Sequence, residues 1–401
     1  MKTRRFAVLS HTLPPSPSGQ AVMLYRVLSG FDPEEYYVIS RDAYERNPQE
    51  AFLPVEYFDV RPPRWLQLLT SIKFPLPVRD LIDAVATILW RTYKLVQIGK
   101  KNPVRAIIAG TGDIADIPAG FLASKMLRVD FHAYIFDDYV YQWTGLYRVL
   151  AKMMSPLIFR LSAGVIGPNE YICDEYSRRY NINCALVRNP CSMEELDAPV
   201  NDQWPDGEGR IKIIYTGAIY HANYDCFHNL VSAMNLLQEQ AIELHIYTAQ
   251  TVEQLTAQGI KGERIFIHTH IPYQQILKEQ RQADILFLPL AFNSPIPEVL
   301  RTSAPGKMGE YLASGRPILA HVPADSFVAY YMKMKQCSTV AAKNDPSDLA
   351  AHILKLIVDG DYRCAIVKNG RRQARLDFDP RISYTQLNNH LSSSKTNRKT
   401  K

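Results

Sequence analysis

The chain has 401 residues, with 46 basic against 40 acidic side chains and a formal net charge of +6. Hydrophobic residues at 47% and charged residues at 21% are ordinary globular usage, which excludes wholesale disorder, a collagen-like repeat and a coiled coil. At ~150 residues per domain the length predicts two or three domains, each burying its own core.

No run of ~18 uncharged apolar residues occurs, so nothing is expected to span a bilayer. The start, MKTRRFAVLSHTLPP, holds an apolar run too short for a signal peptide. The cysteines at 173, 184, 191, 226, 337 and 364 show neither CxxC nor Cys/His ligand spacing. That argues for reduced thiols in a cytoplasm and against a disulfide framework or a metal site.

In chain order, short β-branched runs alternate with helix-period stretches, the pattern of parallel sheets covered by helices. Strands are predicted at 5–10, 36–40, 105–109, 132–136 and 164–167, then at 211–216, 243–247, 264–268, 284–289, 317–321 and 339–342. The stretch 194–209 (EELDAPVNDQWPDGEG) is acidic, holds Pro and Gly and lacks apolar periodicity, so it reads as a linker. The expected fold is α/β, with two Rossmann-like doubly wound parallel-sheet domains facing a cleft. Residues 1–193 form the first domain and 210–375 the second. A C-terminal helix at 376–391 packs back on the first domain, and 392–401 form a disordered basic tail. Between 61 and 105, basic residues flank apolar helical faces that hold Trp65, Leu89, Trp90 and Tyr93. Such a face suits either anionic lipid headgroups or an ordinary core stripe. No nucleic-acid module is legible.

The most informative segment is 303–317, SAPGKMGEYLASGRP, which follows the apolar strand ADILFLPL. A helix is predicted from Pro305, with Ser303 as its cap and Gly315 as its terminator. Its free N–H groups, aimed at the carboxyl ends of the strands, favour a phosphate near Gly306, and Lys307 adds a point charge. Glu310 lies on the same face, and its carboxylate suits a vicinal diol such as a ribose; alternatively Lys307 and Glu310 form an exposed pair.

The segment resembles the nucleotide-binding signature P-x-K-x-x-E-Y-x-A-x-G-x-P of the retaining glycosyltransferases of family 4, the group 1 glycosyltransferases with the B-type two-Rossmann fold. The matching positions are Pro305, Lys307, Glu310, Tyr311, Ala313, Gly315 and Pro317. IKIIYTGAIY resembles that family's opening donor-domain strand, with Gly217 at the turn. PPSPSGQAVMLYR resembles its first loop, which faces acceptor and phosphates through Ser18, Gly19 and Gln20.

The resemblance implies a metal-independent, retaining transferase. A nucleotide-diphosphate sugar is its substrate, no further cofactor is needed, and a glycan or lipid-linked saccharide is its acceptor. Lys307, Glu310 and Asp137 are then the catalytic candidates; Gly217, Glu298, Pro305 and Gly306, with His221 and Arg301 chosen by their position, join Lys307 and Glu310 as donor-binding candidates. The chain departs from the family at Thr302, where a second glutamate is frequent, at AIYHANYD, which lacks the usual Arg and Lys, and at Phe136, where a histidine usually precedes the Asp.

Other signals compete. Gly110, Gly112 and Ala115 fit G-x-G-x-x-A, the dinucleotide fingerprint, although Pro118 follows where a helix is due. Asp137 and Asp138 are either general-base candidates or turn caps. His11 and His221 stand at strand ends, and Arg301 is either a phosphate contact or a surface charge. A non-catalytic nucleotide-sugar-binding protein on the same fold and an NAD-dependent oxidoreductase are the alternatives to a transferase. A cytoplasmic chain, peripheral at an inner membrane face through 61–105, is expected.

Overall fold

The computed structural model describes residues 5–16, 18–42, 52–63, 76–199, 204–205, 209–220, 223–269 and 271–393. The chain forms two compact units, one of residues up to Asn189 together with those from Pro380, the other Pro190–Asp379.

The first unit is a seven-stranded parallel sheet in the order β3-β2-β1-β4-β5-β6-β7. Its strands are β1 (Phe6–Leu9), β2 (Tyr36–Ser40), β3 (Tyr57–Asp59), β4 (Ala106–Gly110), β5 (Asp130–Tyr134), β6 (Gly164–Gly167) and β7 (Cys184–Leu186). Helices α1 (Gly19–Leu28), α2 (Leu76–Lys101), α3 (Asp116–Leu127), α4 (Gly145–Leu161) and α5 (Glu170–Tyr180) connect them. Central strands such as FAVL and AIIAG are buried on both faces, which is why they read as unbroken apolar runs. The edge strands β3 and β7 are three residues long and half-buried, so no such run announces them.

Two ionic clusters hold the loops at the carboxyl ends of these strands. Buried Arg91 of α2 binds Asp116 at 2.6 Å and Asp113 at 2.8 Å, and Arg41 meets Asp113 at 2.9 Å. Burial pushes the Asp116 carboxyl up to about 7 against the pull of Arg91, with Asp113 adding to the rise. Asp138, also buried, accepts the N–H groups of Val140 (2.8 Å) and Tyr141 (3.0 Å) and pairs with Arg179 at 2.9 Å.

The second unit carries a six-stranded parallel sheet in the order β10-β9-β8-β11-β12-β13. It opens on α6 (Met193–Asp197), followed by β8 (Ile211–Thr216), α7 (Tyr224–Leu236), β9 (Ile242–Tyr247), α8 (Val252–Ala257) and β10 (Ile265–His268). Then come α9 (Tyr273–Gln282), β11 (Ile285–Pro289), α10 (Pro297–Thr302), α11 (Lys307–Ser314) and β12 (Ile318–His321). α12 (Phe327–Lys335), β13 (Thr339–Ala341), α13 (Pro346–Val358) and α14 (Gly360–Asp377) complete it. Strand order reverses between β1 and β4 in the first sheet and between β8 and β11 in the second, the two topological switch points where such sheets open a crevice.

The start of the predicted linker is helical: α6 buries Glu195 and Leu196 inside the second unit. The last helix, α15 (Pro380–Ser393), belongs to the first unit: Tyr384 packs edge-on against Phe31, and the Ser383 hydroxyl donates to Arg188 O at 3.0 Å. The predicted tail falls partly on α15 and otherwise outside the described residues. Among the described residues no helix is long and apolar enough to cross a membrane.

Asp138→Ala removes an acceptor of two turn amides and a partner of Arg179. Unfolding of the full chain by urea is expected to show a loss of about 2–4 kcal/mol, and an unchanged midpoint would contradict the structural role of this carboxylate.

Candidate functional site

The second switch point gathers most of the residues singled out on the donor side. β8 ends at Thr216, and the chain turns through Gly217 with φ +126°, a backbone region that strains any L side chain. A Cβ at 217 would stand 2.7 Å from Lys307 Nζ, so the glycine makes the space that the ammonium fills. Lys307 lies over the ring of Tyr215, 4.3 Å from its centroid, and donates to the Tyr215 hydroxyl at 3.1 Å. That hydroxyl is oriented to accept, because its own proton goes to Ala218 O at 2.6 Å, and Asn223 donates to it at 3.2 Å.

α11 begins at Lys307, not at Pro305. Ser303 closes α10 instead, its N–H donating to Leu300 O. Pro305 and Gly306 form a tight turn, in which Met308 N donates to Pro305 O, and Gly306 is the cap residue. No side chain caps the amides of this first turn, so the N-terminus of α11 is open to an anion. Gly315, with φ +76°, ends the helix in the left-handed conformation expected of it. Tyr311 fixes the helix to the sheet: its hydroxyl accepts Thr216 N and meets Thr216 Oγ1, both at 3.2 Å, and Gln280 donates to the same Thr216 hydroxyl at 3.0 Å. Glu310, in the first turn, is 8% exposed.

The loop after β11 is held by Asp225 of α7, whose carboxylate accepts Phe292 N and Asn293 N, each at 2.8 Å. Beyond it, the Thr302 hydroxyl is turned inward on α10, bonding Glu298 O at 3.2 Å and Val299 O at 3.3 Å. Glu298 Oε2 is buried with no hydrogen-bond partner, and Arg301 is exposed. His221 lies outside the described residues.

The first unit gathers its candidates at the carboxyl ends of β1, β4 and β5. Ser18 caps α1 by accepting Ala21 N at 3.3 Å, and its hydroxyl meets that of Thr12 at 2.9 Å. Gly19 is exposed, and a Cβ added there would meet nothing within 4 Å. The Gln20 amide donates to Ser10 Oγ at 2.9 Å. Asp137 is exposed, its N–H donating to Thr111 Oγ1 at 3.3 Å, whereas Asp138 is consumed by its turn and Arg179.

The fingerprint-like glycines have an internal explanation. A Cβ at Gly112 would collide with the His11 ring at 2.2 Å, and one at Gly110 would meet the Gln20 amide at 2.9 Å. The close approach that a dinucleotide motif reserves for a pyrophosphate is here occupied by these two side chains. Pro118 sits in the first turn of α3, where a missing N–H costs nothing. His11 is itself held below its ordinary range by burial and by Arg41. Among the described residues no group of three His, Cys, Asp or Glu side chains is placed to hold a metal ion.

Tyr215, Tyr311, Asp225, Gln280, Glu195 and Arg281 order this region and were not legible in advance. Tyr311 stands in the matched signature and Tyr215 and Asp225 in the segments IKIIYTGAIY and AIYHANYD, but the contacts that all six make cross sheet or helices, and no spacing encodes them.

Two units, each built on a parallel Rossmann-like sheet, form the glycosyltransferase B-type fold that the solved structures below share. Residues 210–359 match the family Glycosyl transferases group 1, which bears out the resemblance carried by residues 303–317. No curated protein sequence matches the chain. A glycosyltransferase from Rickettsia africae shares the fold at 12% identity, with 98% of this chain and 99% of that one covered and a TM-score of 0.66. HepE of Anabaena, solved in complex with UDP-glucose, is similar at 15% identity over 96% and 99% of the two chains, with a TM-score of 0.68. Sucrose-phosphate synthase from Thermosynechococcus elongatus is similar at 15% identity over 96% and 98%, with a TM-score of 0.65.

Gly217→Ala places a side chain at positive φ and against the Lys307 ammonium. A destabilisation of ~1–3 kcal/mol is expected in thermal unfolding, and a midpoint equal to that of the parent would show that the turn carries no strain.

Proposed function

We propose that the chain is a glycosyltransferase that moves a sugar from a nucleotide-diphosphate donor to an acceptor hydroxyl, on a glycan or a lipid-linked saccharide. The observation that carries this reading is the uncapped first turn of α11 with Lys307 seated against Gly217. Charge develops on the diphosphate as the glycosidic bond to the donor phosphate breaks. Helix amides at Gly306 and Lys307 together with the ammonium are preorganised for that charge. Glu310, one turn on, accepts the two hydroxyl protons of the pentose and fixes the register of the reacting carbon. Arg301 and Glu298 lie on α10, just before this helix, and Gly217 meets its lysine in space; His221 is proposed to join them on the donor. The UDP-glucose bound to HepE supports a uridine nucleotide as the first donor to examine.

In the first unit, Asp137 is the exposed carboxylate after β5, and the segment Ser18, Gly19 and Gln20, where Ser18 caps α1, is an acceptor or phosphate loop. With Lys307 and helix amides supplying the positive charge, the reading includes a metal-independent reaction that retains anomeric configuration. A binding protein without turnover is the second reading, favoured by Thr302, whose hydroxyl is committed to its own helix. Release of free sugar from a nucleotide sugar by the purified chain excludes it.

Calorimetric titration with UDP is expected to lose at least tenfold in affinity on Glu310→Ala, and a comparable amount on Lys307→Met, with unchanged circular dichroism (about 1.4 kcal/mol each). Equal affinity in Glu310→Ala would end the donor-site assignment.

The reading extends to peripheral contact with an anionic membrane. Val78, Leu81, Val85, Leu89 and Tyr93 follow helical spacing along α2 and are exposed, Leu89 by 61%, beside exposed Arg79, Lys100 and Lys101. The rest of the 61–105 signal, residues 64–75, lies outside the described residues. Vesicles with phosphatidylserine are expected to sediment the chain and neutral vesicles to leave it in solution; Leu89→Asp with Lys100→Glu should weaken sedimentation, and indifference to both changes would remove this contact.

A further inference from the structure

Glu195 is a fully buried acid with one oxygen engaged and one not. It lies on α6, where Ser192 accepts its N–H at 3.2 Å. Its Oε2 takes a hydrogen bond from Arg281 of α9 at 2.7 Å, and its Oε1 is buried with no hydrogen-bond partner. The helix that carries it is fixed in place by α14: Arg371 donates to Leu196 O, Ala198 O and, through its other nitrogen, Ala313 O of α11, and Arg375 donates to Leu196 O. The charged groups that face Glu195 are Arg281 from α9, Glu310 from α11, Arg371 from α14 and Glu194 on its own helix.

We propose that Glu195 is a positioning residue for Glu310, a buried acid behind the pentose-binding carboxylate whose proton couples the charge of that site to the arrival of a nucleotide diphosphate. This rests on the donor-site reading of Glu310 given above. Burial pushes the Glu195 carboxyl up to about 7; Arg281 opposes the rise and the Glu310 charge adds to it. With the proton on Glu195, the negative charge around Glu310 is lower by one as the diphosphate docks. Ionised, Glu195 adds a buried anion that opposes an anionic ligand. Ligand binding therefore draws a proton onto Glu195, and affinity falls as pH rises through 7.

The probe is UDP, titrated calorimetrically into the full chain at pH 7 in two buffers of different ionisation enthalpy, and at pH 6 and 8. Wild-type protein is expected to take up about half a proton at pH 7 and to bind about tenfold more weakly at pH 8 than at pH 6, beyond what Glu195→Gln does. The difference between the two proteins is the readout, because the terminal phosphate of UDP itself titrates near pH ~6. Glu195→Gln keeps the shape and the Arg281 contact but cannot ionise, and should show only the pH dependence of the UDP phosphate. Glu195→Asp should restore a pH dependence.

If UDP binds neither protein, or binds Glu310→Ala as well as wild type, the donor-site reading fails. If Glu310→Ala alone loses UDP while wild type and Glu195→Gln show the same proton uptake and pH profile, the donor site stands and the role of Glu195 is overturned. A phosphate that docks on cationic groups releases protons, so the absence of net uptake by wild type overturns the proposal even where a substitution folds poorly.

Discussion

A lysine can stand at the carboxyl end of β8 because residue 217 has no Cβ. The Lys307 ammonium occupies the volume that any other side chain would take, and the aromatic face and hydroxyl of Tyr215 hold it there. The tyrosine hydroxyl accepts because it is committed as a donor to Ala218 O, so one backbone carbonyl beyond the glycine turn sets the polarity of the arrangement. Tyr311 then ties α11 to the last residue of β8, and Asp225 holds the loop that leads toward α10. Each tie connects elements on the two sides of a switch point, where the sheet alone leaves a crevice and imposes no contact. The start of α11 is thus fixed by side chains from three elements, which suits a site in which charge must already be in place before a reaction begins.

Legibility in the sequence followed burial. Strands covered on both faces read as continuous apolar runs, and their predicted limits lie within one residue of the observed ones except at β5, which begins and ends two residues earlier, at Asp130 and Tyr134. β3 and β7, short and half-buried, left no such run. The motif around Lys307 and Glu310 was readable because it combines helix-terminus chemistry with a glycine stop, yet the first helical residue was misplaced. Ser303 is as good a cap in composition as any, but its extended backbone (ψ 137°) ends α10 and leaves the turn at Pro305 and Gly306 to start α11. The dinucleotide-like glycines misled for a related reason: glycine reports that something approaches closely, and at 110 and 112 the visitors are Gln20 and His11.

α6 was hidden by its composition. An acidic stretch with Pro and Gly close by satisfies the description of a linker, and a buried glutamate is rare enough that no pattern anticipates one. What buries Glu195 is Arg281, 86 residues further along, together with Arg371 and Arg375, which satisfy the carbonyls at the end of the short helix. No local signal encodes such partners, and only the packed unit brings them together.

The buried acids of the two units differ in how much bonding capacity they retain. Asp113 and Asp138 place both oxygens on arginines or backbone amides, and Asp225 and Asp284 do likewise in the second unit, Asp284 by accepting Lys212 N at 2.7 Å and meeting Arg316 at 3.3 Å. A carboxylate accepts at about four lone-pair sites, and one already engaged on both oxygens gains little from a ligand it must exchange partners to reach. Glu298 and Glu195, like Asp116 in the Arg91 cluster of the first unit, each keep a buried oxygen without a hydrogen-bond partner, which costs about 1–3 kcal/mol. Both lie beside α11, one on the helix that precedes it and one within the electrostatic reach of Glu310. An unsatisfied oxygen therefore does not by itself separate framework acids from those near the candidate site, since Asp116 has one too; among the described residues of the second unit it falls on these two acids beside α11.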